Sequence, residues 1–367
     1  MRPYLPTVEH TEAVAYAGGE GVQPPGSVSE TQLLEVLRRC AGAPGLRYTA
    51  PPVRVTGGFW AEILAVRFEG GPPELNRDLI VRVMPDRGVA RREAAVQAEV
   101  VSQGFPAPQV RLTGEPEDGL GRPFMVMDRV RGRPPVPEVG GPAALAAMGR
   151  AAIRLPNVLA TMAARLHALD PRPLRTRLEG LGDVLVDVTD LLALLEERAG
   201  NVERLDLVAA ARRMPVIRPA SEREAICHGD LHPFNLLVEG DEVSVVDWSL
   251  GLVADPAFDL AFTAMTMAMA PIAVPRVLRR PVRAAARTGS RQFLRRYRRL
   301  LPSAASSLRD DTLEWHAAVH CLRALIEVAE WIDAGTVDDH AGHPWLLMAP
   351  QMSVRLGAVV DWRVRPM

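Results

Sequence analysis

Apolar residues recur at helical spacing in Leu33, Leu34, Val36 and Leu37, behind a Ser29-x-x-Gln32 pair of capping-box type, which predicts a first helix ending near Gly42. From Val53 the period changes to that of strands. Val53-Arg54-Val55-Thr56 leads into Gly57-Gly58, and residues 61–68 read as a returning strand. Residues 78–84 (DLIVRVM) form the next strand, with Ile80, Arg82 and Met84 on one face. Residues 89–102 return to a helical pattern closed by Gly104. Two more strands, 110–113 and 123–130, flank the polar turn 115–121. Pro134, Pro135 and Pro137 then interrupt the chain, and beyond them the apolar spacing is helical over 143–169, with Pro156 expected to start or break a helix, and over 184–214.

The pattern becomes strand-like once more in residues 226–248 (ICHGDLHPFNLLVEGDEVSVVDW). Two apolar runs, Leu236-Leu237-Val238 and Val243 with Val245-Val246, enclose the turn Glu239-Gly240-Asp241, which predicts a β-hairpin. Asn235 precedes its first strand and Asp247 ends its second. A hairpin brings its open ends together, so these two should be neighbours, with the Asp230 loop beside them. Residues 260–274 read as a buried core helix, because Pro271 interrupts them short of the roughly 20 residues of a membrane span. An Arg-rich stretch, 276–299, reads as a solvated face. It precedes a helix in which Trp315, Leu322, Leu325 and Val328 turn inward.

Composition narrows the class. A chain of 367 residues with 48% hydrophobic and 24% charged residues is a soluble protein of two lobes. A net charge of −1 advertises neither nucleic acid nor a membrane as partner. All 43 basic residues are Arg, so any cationic side chain on a phosphate must be a guanidinium. Cys40, Cys227 and Cys321 are too scattered for a disulfide framework, and the N-terminus has no apolar signal segment; a cytoplasmic location fits both. Oligomeric state is not legible.

An Asp to accept a hydroxyl proton, with an Asn and a second Asp converging on a cation, is the set that kinase-type phosphoryl transfer requires. The loop His228-Gly229-Asp230, Asn235, and a strand ending in Asp247-Trp248 resemble the aminoglycoside phosphotransferase and choline kinase-like family. So does Asp255-Pro256-x-x-Asp259-Leu260-Ala261, although Ser249 and Ala254 replace the family's usual Glu and Gly; Asp255 and Asp259 read as helix-capping residues. The family also has a helix closed by Leu166-His167-x-x-Asp170, where His167 reads as a structural hydrogen-bonding residue.

The resemblance implies an α+β, two-lobed protein kinase-like fold. A flexible arm (1–26) precedes a small nucleotide-binding lobe (27–132) with an antiparallel sheet and one main helix; a larger, mainly helical lobe (133–367) carries the catalytic hairpin. It implies ATP or GTP with Mg²⁺ as cofactors, and a small-molecule hydroxyl as acceptor. Asp230 would be the base, and Asn235 and Asp247 the metal ligands. Gly57-Gly58 and Arg82 would hold phosphates, with Arg82 standing where the family usually has Lys and Glu93 as its partner. Backbone near Asp128 and Val130 would meet the adenine. Only a short segment joins Asp247 to Asp255, leaving no room for a protein kinase activation loop. The acceptor would be held by C-terminal helices, where Glu327, Glu330, Trp331 and Asp333 would suit an amine-bearing compound such as an aminoglycoside or choline, with macrolides, sugars and other metabolites open.

Two other readings fit some of the residues. Arg82 and the bulky Phe59-Trp60 after the glycines allow a non-catalytic nucleotide-binding protein on the same fold. His228, Asp230 and His232 alternate like the ligands of a zinc hydrolase.

Overall fold

A computed structural model describes residues 28–55, 61–135, 142–220, 223–269, 277 and 279–361. The arm 1–26 and Gly57-Gly58 lie outside these residues. The chain divides into two compact units: residues up to 87 together with 111–129, and residues 88–110 together with those from 130 onward.

In the smaller unit, helix α1 (Glu30–Cys40) buries Leu33, Val36 and Leu37 along one stripe. Its sequence suggested a capping box, but Ser29 at the N-cap makes no side-chain bond. Gln32 instead donates to the Gly119 carbonyl at 2.7 Å, a tertiary contact that takes the side chain the box needed. The strands are β1 (Arg47–Tyr48), β2 (Val53–Arg54), β3 (Glu62–Glu69), β4 (Asp78–Val83), β5 (Val110–Gly114) and β6 (Phe124–Asp128). They form one sheet in the order β1-β3-β4-β6-β5, with β2 also on β3. β4 is antiparallel to both neighbours, which sets Arg82 opposite Ile63 and Met125. Leu33, Leu37, Leu46, Leu79, Val81 and Phe124 form the core beneath it.

The larger unit is mostly helical. Helix α2 (Arg87–Ser102) buries Val96 and Val100. Helix α3 (Pro142–Leu166) runs through Pro156 rather than starting or stopping there. A proline inside a helix costs roughly 3 kcal/mol; Leu159, Ala160, Ala163 and Leu166, all fully buried on the following turns, offset it. Helix α4 (Arg172–Leu181), which the sequence pattern did not announce, follows. The next two are α5 (Val188–Asn201), capped by Asp187, and α6 (Leu205–Val216).

Four short strands carry the loop of interest: β7 (Ala225–Cys227), β8 (Leu236–Glu239), β9 (Glu242–Val245) and β10 (Leu252–Ala254). Beyond them come α7 (Ala257–Met269), α8 (Arg279–Leu300), α9 (Asp310–Asp333) and α10 (Pro344–Val360). On α8, Ser290, Phe293 and Tyr297 face inward while its arginines are exposed, as the sequence predicted. Helix α9 is buried over nearly its whole length and packs on α5, α6, α7 and α10. Among the described residues no helix is long and apolar enough to cross a membrane.

Candidate active site

The site begins where β7 leaves the core. β7 is antiparallel to β10, with Cys227 opposite Leu252. The chain then turns at Gly229, whose φ of 76° favours glycine and whose missing Cβ would lie 2.6 Å from the Leu250 carbonyl oxygen. The turn is held from inside the core. The backbone N–H groups of His228 and Gly229 donate to the Asp259 carboxylate at 2.9 and 2.6 Å. The same carboxylate bonds His167 Nε2 at 3.1 Å, and His167 Nδ1 meets the Tyr297 hydroxyl at 2.9 Å. Burial pushes the Asp259 carboxyl up, but His167, His228 and these donors outweigh it and hold it below its ordinary range. Asp259, expected to cap a helix, instead anchors this loop. Asp255 does cap α7, accepting from Ala257 N at 2.8 Å.

The next residues are positioned by local bonds. His228 Nδ1 accepts from the Asp230 N–H at 3.2 Å, which makes Nε2 the protonated nitrogen that donates to the Val246 carbonyl at 3.0 Å. A single helical turn, Pro233–Asn235, follows, with His232 accepting from Phe234 N. Asn235 Nδ2 donates to the Asp230 carbonyl at 2.9 Å and contacts its carboxylate at 3.3 Å. β8 and β9 then pair as the hairpin expected, Leu236 opposite Val245. Val246 N donates to the Asn235 carbonyl at 3.0 Å, closing the open end of the hairpin one residue before Asp247. Asp247 has a φ of 64°, a strained state for a residue other than glycine and one that clusters at functional sites. Trp248 locks this corner: it is fully buried and donates to the Val245 carbonyl at 3.1 Å.

Hard oxygen donors suit Mg²⁺. The Asp247 carboxylate is one. Asn235 supplies another, since its amide nitrogen is committed to Asp230 and its Oδ1 accepts no hydrogen bond among the described residues. The donor set fits the ion. It does not fit zinc: both ring nitrogens of His228 are taken by backbone, so the alternation with His232 is not a ligand set. Among the described residues, the His, Cys and acidic groups close enough to share a metal are His167, Cys227 and Asp259, within the buried anchor.

Around the Asp230 carboxylate stand His232, which the sequence offered only as a zinc ligand, and Arg323, which sequence reasoning passed over. His232 Nε2 lies 3.3 Å from Oδ2, and Arg323 Nη2 lies 3.4 Å from Oδ1. Burial raises the Asp230 carboxyl, but His232, Arg323 and His228 lower it further, leaving it well below the usual carboxylate range. Arg323 comes from α9, where His316, His320, Arg323, Glu327 and Glu330 follow one another at helical spacing. That polar stripe on an otherwise apolar helix was the available signal.

The other expected residues are distributed as follows. Arg82 is buried on β4, and Glu93 is fully buried on α2. The Asp128 side chain is engaged by a two-pronged Arg111 pair at 2.8 and 2.6 Å. Past Val130, the φ of Gly132 is 111°, and a Cβ there would strike the Val238 backbone; the neighbouring Arg133 pairs antiparallel with Val238. The acidic patch is largely occupied. Arg198 bonds both carboxylate oxygens of Glu330, Glu327 is buried, Trp331 stacks on His340 at 4.1 Å, and Asp333 is exposed.

Known proteins share the fold that carries this loop. The fold is shared with the aminoglycoside phosphotransferase APH(4)-Ia (15% identity, TM-score 0.55, covering 91% of this chain and 99% of that one). It is shared too with a macrolide 2′-phosphotransferase type I (17% identity, TM-score 0.52, 86% and 96%). In sequence the chain is 29% identical over 194 residues to acyl-CoA dehydrogenase family member 11 of Gallus gallus, spanning 49% of this chain but 23% of that protein. Residues 65–292 match the profile of the phosphotransferase enzyme family, which includes the site from Asp230 to Asp259. On its fold, its loop and that match, the chain belongs to the phosphotransferase enzyme family of aminoglycoside phosphotransferase and choline kinase-like proteins.

Proposed function

We propose that the chain transfers the γ-phosphoryl group of ATP to a hydroxyl of a small molecule, with Mg²⁺ bound by Asn235 and Asp247. What supports this reading is the bonding of Asn235 to Asp230 and the closure of the hairpin by Val246 on Asn235, one residue before the strained Asp247. Mg²⁺, when bound, neutralises charge on the transferring group. Asp230 orients the acceptor hydroxyl and takes up its proton. A carboxylate of lowered pKa serves here as a positioning acceptor, consistent with a loose transition state in which proton removal lags phosphoryl transfer. Arg82, Glu93, the 57–58 glycines and the backbone at Asp128 and Val130 are assigned to the nucleotide. A relative of the same fold has been crystallised with ADP and hygromycin B (15% identity, TM-score 0.53, 90% and 98%), which supports a nucleotide and a small hydroxyl compound as the ligand classes.

The test is a screen of hydroxyl compounds for ATP-dependent phosphate transfer, run beside Asp230→Ala. Transfer by the wild type that disappears in the variant, with ATP binding nearly unchanged, is expected. Full turnover in Asp230→Ala would remove that residue from its role.

A further inference from the structure

We propose that Arg323 selects an acceptor bearing a carboxylate a few bonds from its reacting hydroxyl. This rests on the phosphotransfer reading above, and it reverses the preference for amines that the acidic residues of α9 suggested.

The Arg323 side chain is 14% exposed, and its guanidinium lies 3.4 Å from the carboxylate of Asp230, whose side chain is 25% exposed. The Arg323 Cζ lies over aromatic rings, 4.7 Å from the Trp345 centroid and 5.8 Å from that of Phe262. Those ring faces pack against the guanidinium without supplying conventional hydrogen-bond acceptors. Its only polar partner among the described residues is Asp230, at a long 3.4 Å, and Nε is buried with no acceptor at all. A guanidinium has five N–H donors in a rigid fork that matches a carboxylate. Here most of that capacity is unspent, beside the atom that is to receive the substrate.

The other charges on this helix argue the same way. Glu330 is bound to Arg198, and Glu327, on the next turn after Arg323, is buried. A cationic acceptor would therefore meet a guanidinium beside Asp230, and of the acids that might have attracted it Glu330 is engaged and Glu327 enclosed, while Asp333 is exposed at the C-terminal end of α9. One cation in an aromatic setting suits a single negative charge, hence a carboxylate rather than a second phosphate. The spacing sets the ligand's size. Asp230 and Arg323 are 3.4 Å apart, so a hydroxyl oxygen on one and a carboxylate oxygen on the other are separated by at most about 9 Å.

Binding to the full chain in the presence of Mg²⁺ and a non-hydrolysable ATP analogue tests this without knowledge of the natural acceptor. The probes share one carbon skeleton: 3-hydroxybutyrate, 3-hydroxybutyramide and 4-amino-2-butanol. The carboxylate should bind at least about tenfold more tightly than the amide, and the amine most weakly. Arg323→Gln should abolish the discrimination, while Arg323→Lys, which keeps the charge, should retain part of it and guard against a misfolded variant. Equal binding of the three probes, preference for the amine, or discrimination that persists in Arg323→Gln would overturn the proposal. Failure of the phosphotransfer reading would look different: the wild type would neither bind the ATP analogue in a Mg²⁺-dependent way nor turn ATP over, whatever the three probes do.

Discussion

Asp230 belongs to the loop whose backbone the later Asp259 grips at His228 and Gly229, and both aspartates are held below the ordinary carboxylate range. They are solved differently. Asp259 is completely buried, and both its oxygens are bonded, by two backbone N–H groups and His167. Asp230 is partly open, with His232 Nε2 at 3.3 Å and the Arg323 guanidinium at 3.4 Å. A carboxylate with both oxygens bonded by buried donors anchors; one with longer contacts to its neighbours retains capacity for a ligand. The inner residue thus fixes the position of the loop that presents the outer one.

Separating the two roles is the sharpest way to break this contrast. Asp230→Asn keeps the side chain's shape but removes its charge, and should lower turnover roughly 10²–10⁴-fold with a much smaller loss of stability than at Asp259. Asp259→Ala leaves two buried N–H donors and a buried imidazole without their acceptor, and should cost about 3–5 kcal/mol in urea unfolding. Equal stability losses in both variants would erase the distinction.

Acidification should distinguish a third set of buried groups from this pair. Burial lowers His316 and His320 on α9 to about 3, so both are neutral in the folded chain and charge readily once unfolded. Because their folded values lie below the unfolded one, their contribution is complete above about pH 6.5 and is lost as pH falls towards 3, at roughly 1.4 kcal/mol per pH unit for each. Asp259 obeys the same sign in a lower window, its contribution being full above about pH 4 and fading below. Stability measured from pH 7 to 4 should therefore decline mainly through the histidines, and His316→Leu should flatten that slope. Tyr297→Phe, which removes one hydroxyl from the far end of the anchor, should have the smallest effect, about 0.5–1.5 kcal/mol, with turnover retained.

The same contrast explains what could be read in advance. Hairpin and motif were legible because they are local: Leu236 to Val246 alternate around a turn, and Asn235 and Asp247 follow from the closure of that ribbon. Pro156 misled because propensity yielded to the packing of α3, and Ser29 because Gln32 found a partner 87 residues away. Long-range partners were the illegible part. Nothing adjacent in the chain announces that Arg323 meets Asp230, 93 residues earlier, or that Asp259 grips the loop 30 residues before it. For Arg323 the stripe from His316 to Glu330 was a usable sign, since polar residues at helical spacing on a buried helix must face something polar.

Calorimetric titration of ATP into the wild type and Asp247→Asn, with and without Mg²⁺, addresses the metal-centred claim most directly. Binding that strengthens with Mg²⁺ in the wild type, and loses at least about tenfold of that gain in Asp247→Asn, is the predicted result. Binding that is indifferent to Mg²⁺, or a Mg²⁺ response identical in the two proteins, would contradict it.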